Sequence, residues 1–569
     1  MGGISLVLLA GRLALQSERT DFGGPFWLWL VGVCGFLVAF VPPISLNEQR
    51  TRLSRWLHSH WPEAVALTLL LLMALVIRAV DLEHIPANLS GDEGTQGVAA
   101  VKLLGPPLGN PFSTGWYSVP TMSFLVLGAS MRIFGESVAG LRGLSALFGT
   151  ITVLTTFLLG RELWGRRVAW MAAVALACSH YHVHFSRVGS NQILDGLVVT
   201  LALWLLVRGL RLRQVIYFAL AGMAIALGWY GYFGARLVVI IAICYLLWRS
   251  LVERRFLHRY GRSLVAALAA ALVFIAPLIL HYLARPHELM SRPRQISIFS
   301  SGWLERAQDI TGLGAGSLLL QQFWKSISAF NYTTDTSFWY LPSIPLLDSV
   351  SGVLFVLGLL WATVCCRRPG NGLLLMWFWL GLSLGWVMTI GPPASQRMTI
   401  LAPALALLVA LGLEWLITAA QRVPGPRWGL LAPVLLIVMG VLNLRYYFLV
   451  YTPTRVFGNP TAEVATDLSR YLVKRSDDYV VHFHGPPSIY WEFGTLAFMA
   501  PDVEGVDVPP LGEGEWPEPD LNQGVRFVIL PQRLGDLDTI RERYPSGQET
   551  PVHSDYDDRL LYVLYEVDE

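Results

Sequence analysis

The chain has 569 residues, 54% of them hydrophobic and only 14% charged, with a mean hydropathy of +0.50. A soluble domain carries about 25% charged residues, so this chain cannot cover a globular surface, and much of its apolar area must face lipid. A net charge of +2 gives no footprint for nucleic acid, and the cysteines (Cys34, Cys178, Cys244, Cys365 and Cys366) lie in or beside apolar segments, with neither a disulfide framework nor a zinc spacing.

A membrane-spanning helix needs about 20 apolar residues. Residues 4–16 are apolar but short and interrupted by Arg12, which predicts an interfacial helix. No signal-peptide cleavage site precedes the first span, so insertion falls to that helix itself. Predicted spans follow at 26–44, 62–80, 140–160, 167–185, 192–208, 214–232, 236–250, 263–283, 344–363, 372–390, 398–417 and 429–449, about twelve in all. The 21 Trp fit this reading, since Trp favours the membrane interface.

Residues 119–134 are apolar enough to be a thirteenth span, and the arginines decide against it. If that segment does not cross, one side collects Arg50, Arg52 and Arg55, then Arg161, Arg166 and Arg167, then Arg208, Arg211 and Arg213. The same side takes Arg249, Arg254, Arg255, Arg259 and Arg262, then Arg367 and Arg368, and finally Arg422 and Arg427. That side is cytoplasmic by the positive-inside rule. Residues 119–134 then lie flat on the outer surface as an amphipathic helix, and loops 81–139 and 284–343 are outside.

The tail is also outside. Residues 452–569 hold 9 Lys+Arg against 22 Asp+Glu, a balance of −13, and leave the remainder at +15. The tail reads as a small α/β domain: a helix at 461–474, strands at Tyr479–Phe483 and Phe527–Leu530, a loop at 508–520, a helix at 535–544 and a final strand at Leu560–Val567. Three regions result: an N-terminal membrane extension (1–61), a transmembrane domain (62–451) and a soluble domain (452–569).

Four groups of residues could carry chemistry. In Ser90-Gly91-Asp92-Glu93-Gly94, paired carboxylates follow the exit of a span. They could offer a general base or grip a divalent cation such as Mg or Mn. On spacing alone, a solvated turn with Asp92 as helix N-cap reads as well. Arg142, Arg187, Arg236 and Arg397 lie at outer span ends, against the charge rule. Together they suit a lipid phosphate, because Arg binds phosphate bidentately; singly, each reads as snorkelling to headgroups. Tyr181-His182-Val183-His184-Phe185-Ser186-Arg187 closes a span, but histidines at i, i+2 do not share a helix face, which disfavours a two-His metal site. Asp195, inside a span, is costly unless paired, and Arg187 is the predicted partner. In Gly228 to Arg236, Tyr232 and its small neighbours could line a lipid groove or pack helices tightly. Lys102 joins His182, His184, Tyr232 and the four arginines as a substrate-binding candidate. His482 and His484 alternate along a strand and share a face.

Taken in order, these motifs resemble the GT-C superfamily, in particular bacterial relatives of the protein O-mannosyltransferases and aminoarabinose transferases. The resemblance covers roughly 62–450. It rests on Asp92-Glu93, Phe134-Gly135-Glu136…Arg142-Gly143-Leu144, Leu159-Gly160-Arg161-Glu162-Leu163-Trp164-Gly165, Ser186-Arg187…Asp195, Tyr232…Ala235-Arg236 and Arg397…Pro403. It implies an all-α polytopic GT-C membrane enzyme that moves a sugar from a polyprenyl-phosphate donor, with inversion, to an acceptor glycan, lipid or protein on the outer face of the plasma membrane. By the resemblance Asp92 is the base, Glu93 assists, and Arg142 is the first phosphate ligand. The His-Pro-Pro motif of eukaryotic protein O-mannosyltransferases is absent; Tyr117-Ser118-Val119-Pro120 stands there, which weakens a protein acceptor. Two other classes fit the bulk composition: a transporter or lipid flippase, and a non-catalytic subunit of an envelope assembly. Transporters, however, carry inverted repeats and helices interrupted at mid-membrane, and the unusual residues here gather at outer helix ends.

Overall fold

The computed structural model describes residues 2–41, 46–423, 428–474, 479–510, 514, 516–519 and 524–567, and within 46–58 the side chain of Ser54 alone. Arg427, the side chains of Arg50, Arg52 and Arg55, and part of the 508–520 loop lie outside the described residues.

Every predicted span falls on a helix. Among the described residues, eight are long and apolar enough to cross a membrane: Ser59–Ala79, Val138–Trp164, Ile193–Leu212, Phe233–Val252, Phe256–Ala284, Pro369–Val387, Thr399–Ala420 and Trp428–Thr454. The other four predictions meet shorter helices. Gly23–Val38, Val215–Leu227 and Ser349–Val364 have 10–17 residues, and the predicted 167–185 span breaks at Ser179 into Arg166–Cys178 and His180–Ser186. Ser179 caps the second piece by accepting from the His182 amide. The 61/62 boundary falls inside one continuous helix, Leu46–Ala79. Thr121–Phe134 forms a helix of 14 residues.

Helices pack here through small residues that let backbones meet. At the crossing of Ser349–Val364 with Thr399–Ala420, a Cβ on Gly358 would lie 1.9 Å from the Leu408 carbonyl oxygen, and one on Gly412 would lie 2.0 Å from that of Leu354. The innermost helix is Thr399–Ala420, whose residues Ala402 to Leu413 are all buried. The largest apolar core of the chain is built around it.

The tail is a five-stranded sheet: β1 (Tyr479–His484), β2 (Glu504–Asp507), β3 (Gly524–Ile529), β4 (Gln548–His553) and β5 (Leu560–Val567), in the order β2-β1-β3-β5-β4. β1 runs parallel to β2 and β3, while β5 is antiparallel to β3 and β4. Alternation along β1 sends Val481 and Phe483 to the face covered by the Asn459–Val473 helix. His482 and His484 take the opposite face, with Phe527, as their spacing predicted. β2, β4 and the short helix Gly494–Met499 were not anticipated from the sequence.

Candidate active site

The Asp92-Glu93 pair sits in the first turn of the Gly91–Leu104 helix. Ser90, not Asp92, is the N-cap: its Oγ accepts from the Glu93 amide at 3.2 Å. Carboxylates in a first turn are favoured by the helix dipole. Neighbouring positions on a helix point about 100° apart, so the two side chains part company.

Glu93 turns inward and is fully buried. It accepts from Arg142 Nε at 2.8 Å and Nη2 at 3.1 Å, and from the Gly189 amide at 2.6 Å. Arg142, also fully buried, spends its remaining donors on the carbonyls of Leu82, Pro86 and Asn88 at 2.8–2.9 Å. All five of its N–H groups therefore have protein acceptors, and none faces a ligand. Both Glu93 oxygens are likewise engaged.

Arg187 is held by backbone carbonyls in a similar way, except that its Nε is buried without a partner. It donates to the carbonyls of Ile77, Val80, Asp81 and Ile85 and lies 5.2 Å from the Phe448 ring centre. The expected Arg187–Asp195 ion pair is therefore not made: backbone carbonyls take both Nη groups of the arginine. His182 and His184 are buried in the same layer. Arg78 Nη2 contacts His182 Nδ1 at 2.9 Å, while His184 Nε2 donates to the Trp339 carbonyl at 2.6 Å and stacks on Tyr340 at 4.3 Å. Neither histidine presents a free face to solvent.

Asp92 faces the other way. It is half-buried and, among the described residues, makes no ion pair or hydrogen bond. Burial raises its pKa to about 6, against the opposing pull of the Arg292 guanidinium. Arg292 was missed by the sequence reading. It sits on the Pro286–Ile296 helix, in the 284–343 segment predicted to be an outer loop, its guanidinium 4.9 Å from the Tyr117 ring centre. Its signal was present, since an arginine in a loop predicted to be outside goes against the charge rule as Arg142 does.

Arg292 and Arg397 both act on the Tyr232 hydroxyl. Arg397 is steadied by Thr389 Oγ1 at 3.1 Å and the Ile390 carbonyl at 2.7 Å, and its Nε is buried without a partner. Arg236 donates to the Tyr282 hydroxyl at 3.1 Å and stacks on Phe233 and Trp229 at 4.4 and 5.0 Å; its Nε is also unpartnered. Asp195 is fully buried, both its oxygens lack a hydrogen bond, and Arg236 is the cation that acts on it. It presses on Gly234, where a Cβ would lie 2.2 Å from Oδ2.

The sequence candidates thus split. Arg142, Arg187, His182 and His184 belong to a buried scaffold. Asp92, Tyr232, Arg236 and Arg397 are instead linked pair by pair, through charge, with Arg292 and Asp195. Lys102 stands apart, exposed in the last turn of the Asp92 helix and about 15 Å along it.

This arrangement can be set beside known proteins. Residues 118–281 match the family model for dolichyl-phosphate-mannose-protein mannosyltransferase. The crystal structure of ArnT from Cupriavidus metallidurans bound to undecaprenyl phosphate superposes with a TM-score of 0.52 over 88% of this chain and 97% of that one, at 16% identity. The chain has the GT-C fold. Its apo counterpart gives a TM-score of 0.51 at 14% identity, over 89% of this chain and 98% of that one. The GT-C likeness also appears in sequence. The undecaprenyl phosphate-alpha-4-amino-4-deoxy-L-arabinose arabinosyl transferase of Pseudomonas aeruginosa is 25% identical over 190 residues, 31% of this chain and 33% of that protein. The Pseudomonas fluorescens enzyme of that name is 30% identical over 179 residues, 29% of this chain and 30% of that one. The chain spans about a third of the length of the curated relatives it matches.

Proposed function

We propose that this protein is an integral-membrane glycosyltransferase that moves a sugar from a polyprenyl-phosphate donor to an acceptor hydroxyl on the outer face of the membrane. The observation that carries this reading is the separation within the Asp-Glu pair. Glu93 is locked by Arg142, while Asp92 is unpaired, has a pKa raised to about 6 by burial, and feels the Arg292 guanidinium. Relatives whose names specify undecaprenyl-phosphate and dolichyl-phosphate sugars support the donor class.

The chemistry is a single displacement. Asp92 takes the acceptor hydroxyl proton, and the oxygen attacks the anomeric carbon as the bond from that carbon to the phosphate oxygen breaks. The electron pair leaves on the polyprenyl phosphate, and attack opposite the leaving group inverts the anomeric centre. A base poised near the working pH is the efficient choice for such a proton transfer. Arg292 and Arg397 hold the phosphate, Tyr232 donates to it, and Arg236 supports them. Charge that develops in a water-poor site is stabilised best by fixed cations and donors. Arg142, expected from the resemblance to bind phosphate, takes a positioning role instead, because it has no donor left. The arginine distribution supports the outer-face location and the placing of the acidic tail on the same side.

The test is purified protein in lipid vesicles given a polyprenyl-phosphate sugar and extracts of envelope acceptors. Wild type is expected to release polyprenyl phosphate and glycosylate an acceptor, and Asp92→Ala is expected to lose both. Full transfer by Asp92→Ala would remove the catalytic assignment, and movement of the lipid between leaflets without transfer would establish the flippase reading.

A further inference from the structure

The soluble tail touches the Asp92 turn at its backbone. Leu89, three residues before Asp92, is 1% exposed, and both its peptide groups are satisfied by tail threonines. Its amide donates to Thr466 Oγ1 at 2.9 Å, and its carbonyl accepts from Thr495 Oγ1 at 2.9 Å. Thr466 is on the Asn459–Val473 helix and Thr495 on the Gly494–Met499 helix. One residue earlier, Asn88 Nδ2 donates to the carbonyls of Arg455 and Phe457, while the Asn88 carbonyl accepts from Arg142.

The contact continues along the Asp92 helix. A Cβ on Gly94 would lie 2.2 Å from the Gly494 carbonyl oxygen, and one on Gly494 would lie 2.2 Å from the Gly91 carbonyl oxygen. Phe493 covers Gly91 and Phe498 covers Gly97 in the same way. Gly91, Gly94 and Gly97 recur every three residues, so they form one helix face, and Asp92 is turned away from it by about 100° per residue. The helix is thus held between Arg142 on the membrane side and the tail behind.

We infer that the C-terminal domain is part of the catalytic centre, with Thr466 and Thr495 as positioning residues that fix the Leu89–Asp92 turn and so aim the base at its acceptor. The inference rests on the reading of Asp92 as that base. Neither threonine touches substrate; each acts through the Leu89 peptide. Small misplacement of a reacting group costs rate steeply, up to about a hundredfold for roughly 1 Å.

The experiment uses the full chain in vesicles with a polyprenyl-phosphate sugar. Thr466→Val and Thr495→Val remove the hydroxyls at nearly constant volume, and Thr466→Ser and Thr495→Ser keep them. The Val variants are expected to lose about tenfold or more in kcat with the KM for the lipid donor within about twofold, and the Ser variants to recover most of the rate. If a Val variant does not accumulate, Gly494→Ala, which pushes the two backbones apart, is read in the same way. Val variants with wild-type kcat would overturn the clamp, as would kcat and KM changing together or Ser variants that fail to rescue. An inactive Asp92→Asn beside fully active Val variants would sink the clamp alone, whereas a fully active Asp92→Asn would sink the base itself.

Discussion

Asp92 and Glu93 are neighbours in sequence and opposites in state, and each makes a separate prediction. Asp92 is ionised at neutral pH against the penalty of burial, since its folded pKa of about 6 stands above the ordinary carboxylate value. The sign follows from linkage: a raised carboxyl pKa leaves stability untouched below the unfolded value, near 4, costs increasingly as pH rises from 4 to 6, and costs a constant amount above 6. Asp92→Asn should therefore stabilise the protein at pH 7.5, by up to about 3 kcal/mol before solvent screening of a half-buried group reduces it, and by little at pH 4. Thermal unfolding in detergent at the two pH values measures this. Glu93 and Arg142 make the reverse prediction. Removing one partner of a buried ion pair strands the other, at about 3–5 kcal/mol. Arg142→Ala should thus fail to accumulate as a monodisperse species in size exclusion, rather than fold and lose donor affinity.

At the level of elements, the Pro286–Ile296 helix brings a cation to Asp92 from some 200 residues further along the chain. Glu288 ties one end, accepting from the Thr114 hydroxyl and His281 Nε2. The Ile296 carbonyl accepts from the Ile390 amide at 2.8 Å and ties the other end to the segment that carries Arg397. Arg292→Ala should raise the donor KM about tenfold to a hundredfold, the worth of a charge-assisted hydrogen bond, with folding retained because Arg292 is half-exposed. Steady-state kinetics with size exclusion as the control separates this outcome from the Arg142 one. The helices themselves were legible in the sequence because about 20 apolar residues leave few alternatives. What could not be read was whether an outer-end arginine faces ligand or carbonyl. Arg142 and Arg397 break the charge rule alike, yet one is saturated by Glu93 and three backbone oxygens, and the other keeps a free Nε. That difference depends on where segment 82–88 folds back, which periodicity does not encode. The Arg187–Asp195 pairing failed for the same reason: backbone carbonyls competed for the cation.

Across the whole molecule, the sequence divided a basic membrane part from an acidic tail, and the structure joins them at the Asp92 turn. The tail's strands at 479–483 and 560–567 were legible from their apolar runs, whereas β4, Gln548–His553, is a mostly exposed edge strand with Pro551 in it and carries no apolar signal. The contact at Leu89 was invisible, because it is made by two threonines and facing glycines that have no distinctive pattern. Topology is also tested at this level. In a cysteine-free background, Tyr556→Cys in the exposed tail should react with a membrane-impermeant maleimide added outside intact spheroplasts, and Leu251→Cys, exposed between the arginine-rich helix ends, should react only after lysis. The reverse pattern would place Asp92 on the cytoplasmic side.

The role of Asp92 is tested most sharply by the pH dependence of sugar transfer by the reconstituted protein with a polyprenyl-phosphate sugar. Because Asp92 must lose its proton to act as the base, kcat/KM should rise with pH through an acid limb near 6 and level off above it, and Asp92→Asn should abolish the transfer that defines that limb. An Asp92→Asn enzyme that transfers sugar at the wild-type rate with the same acid limb would show that the base lies elsewhere.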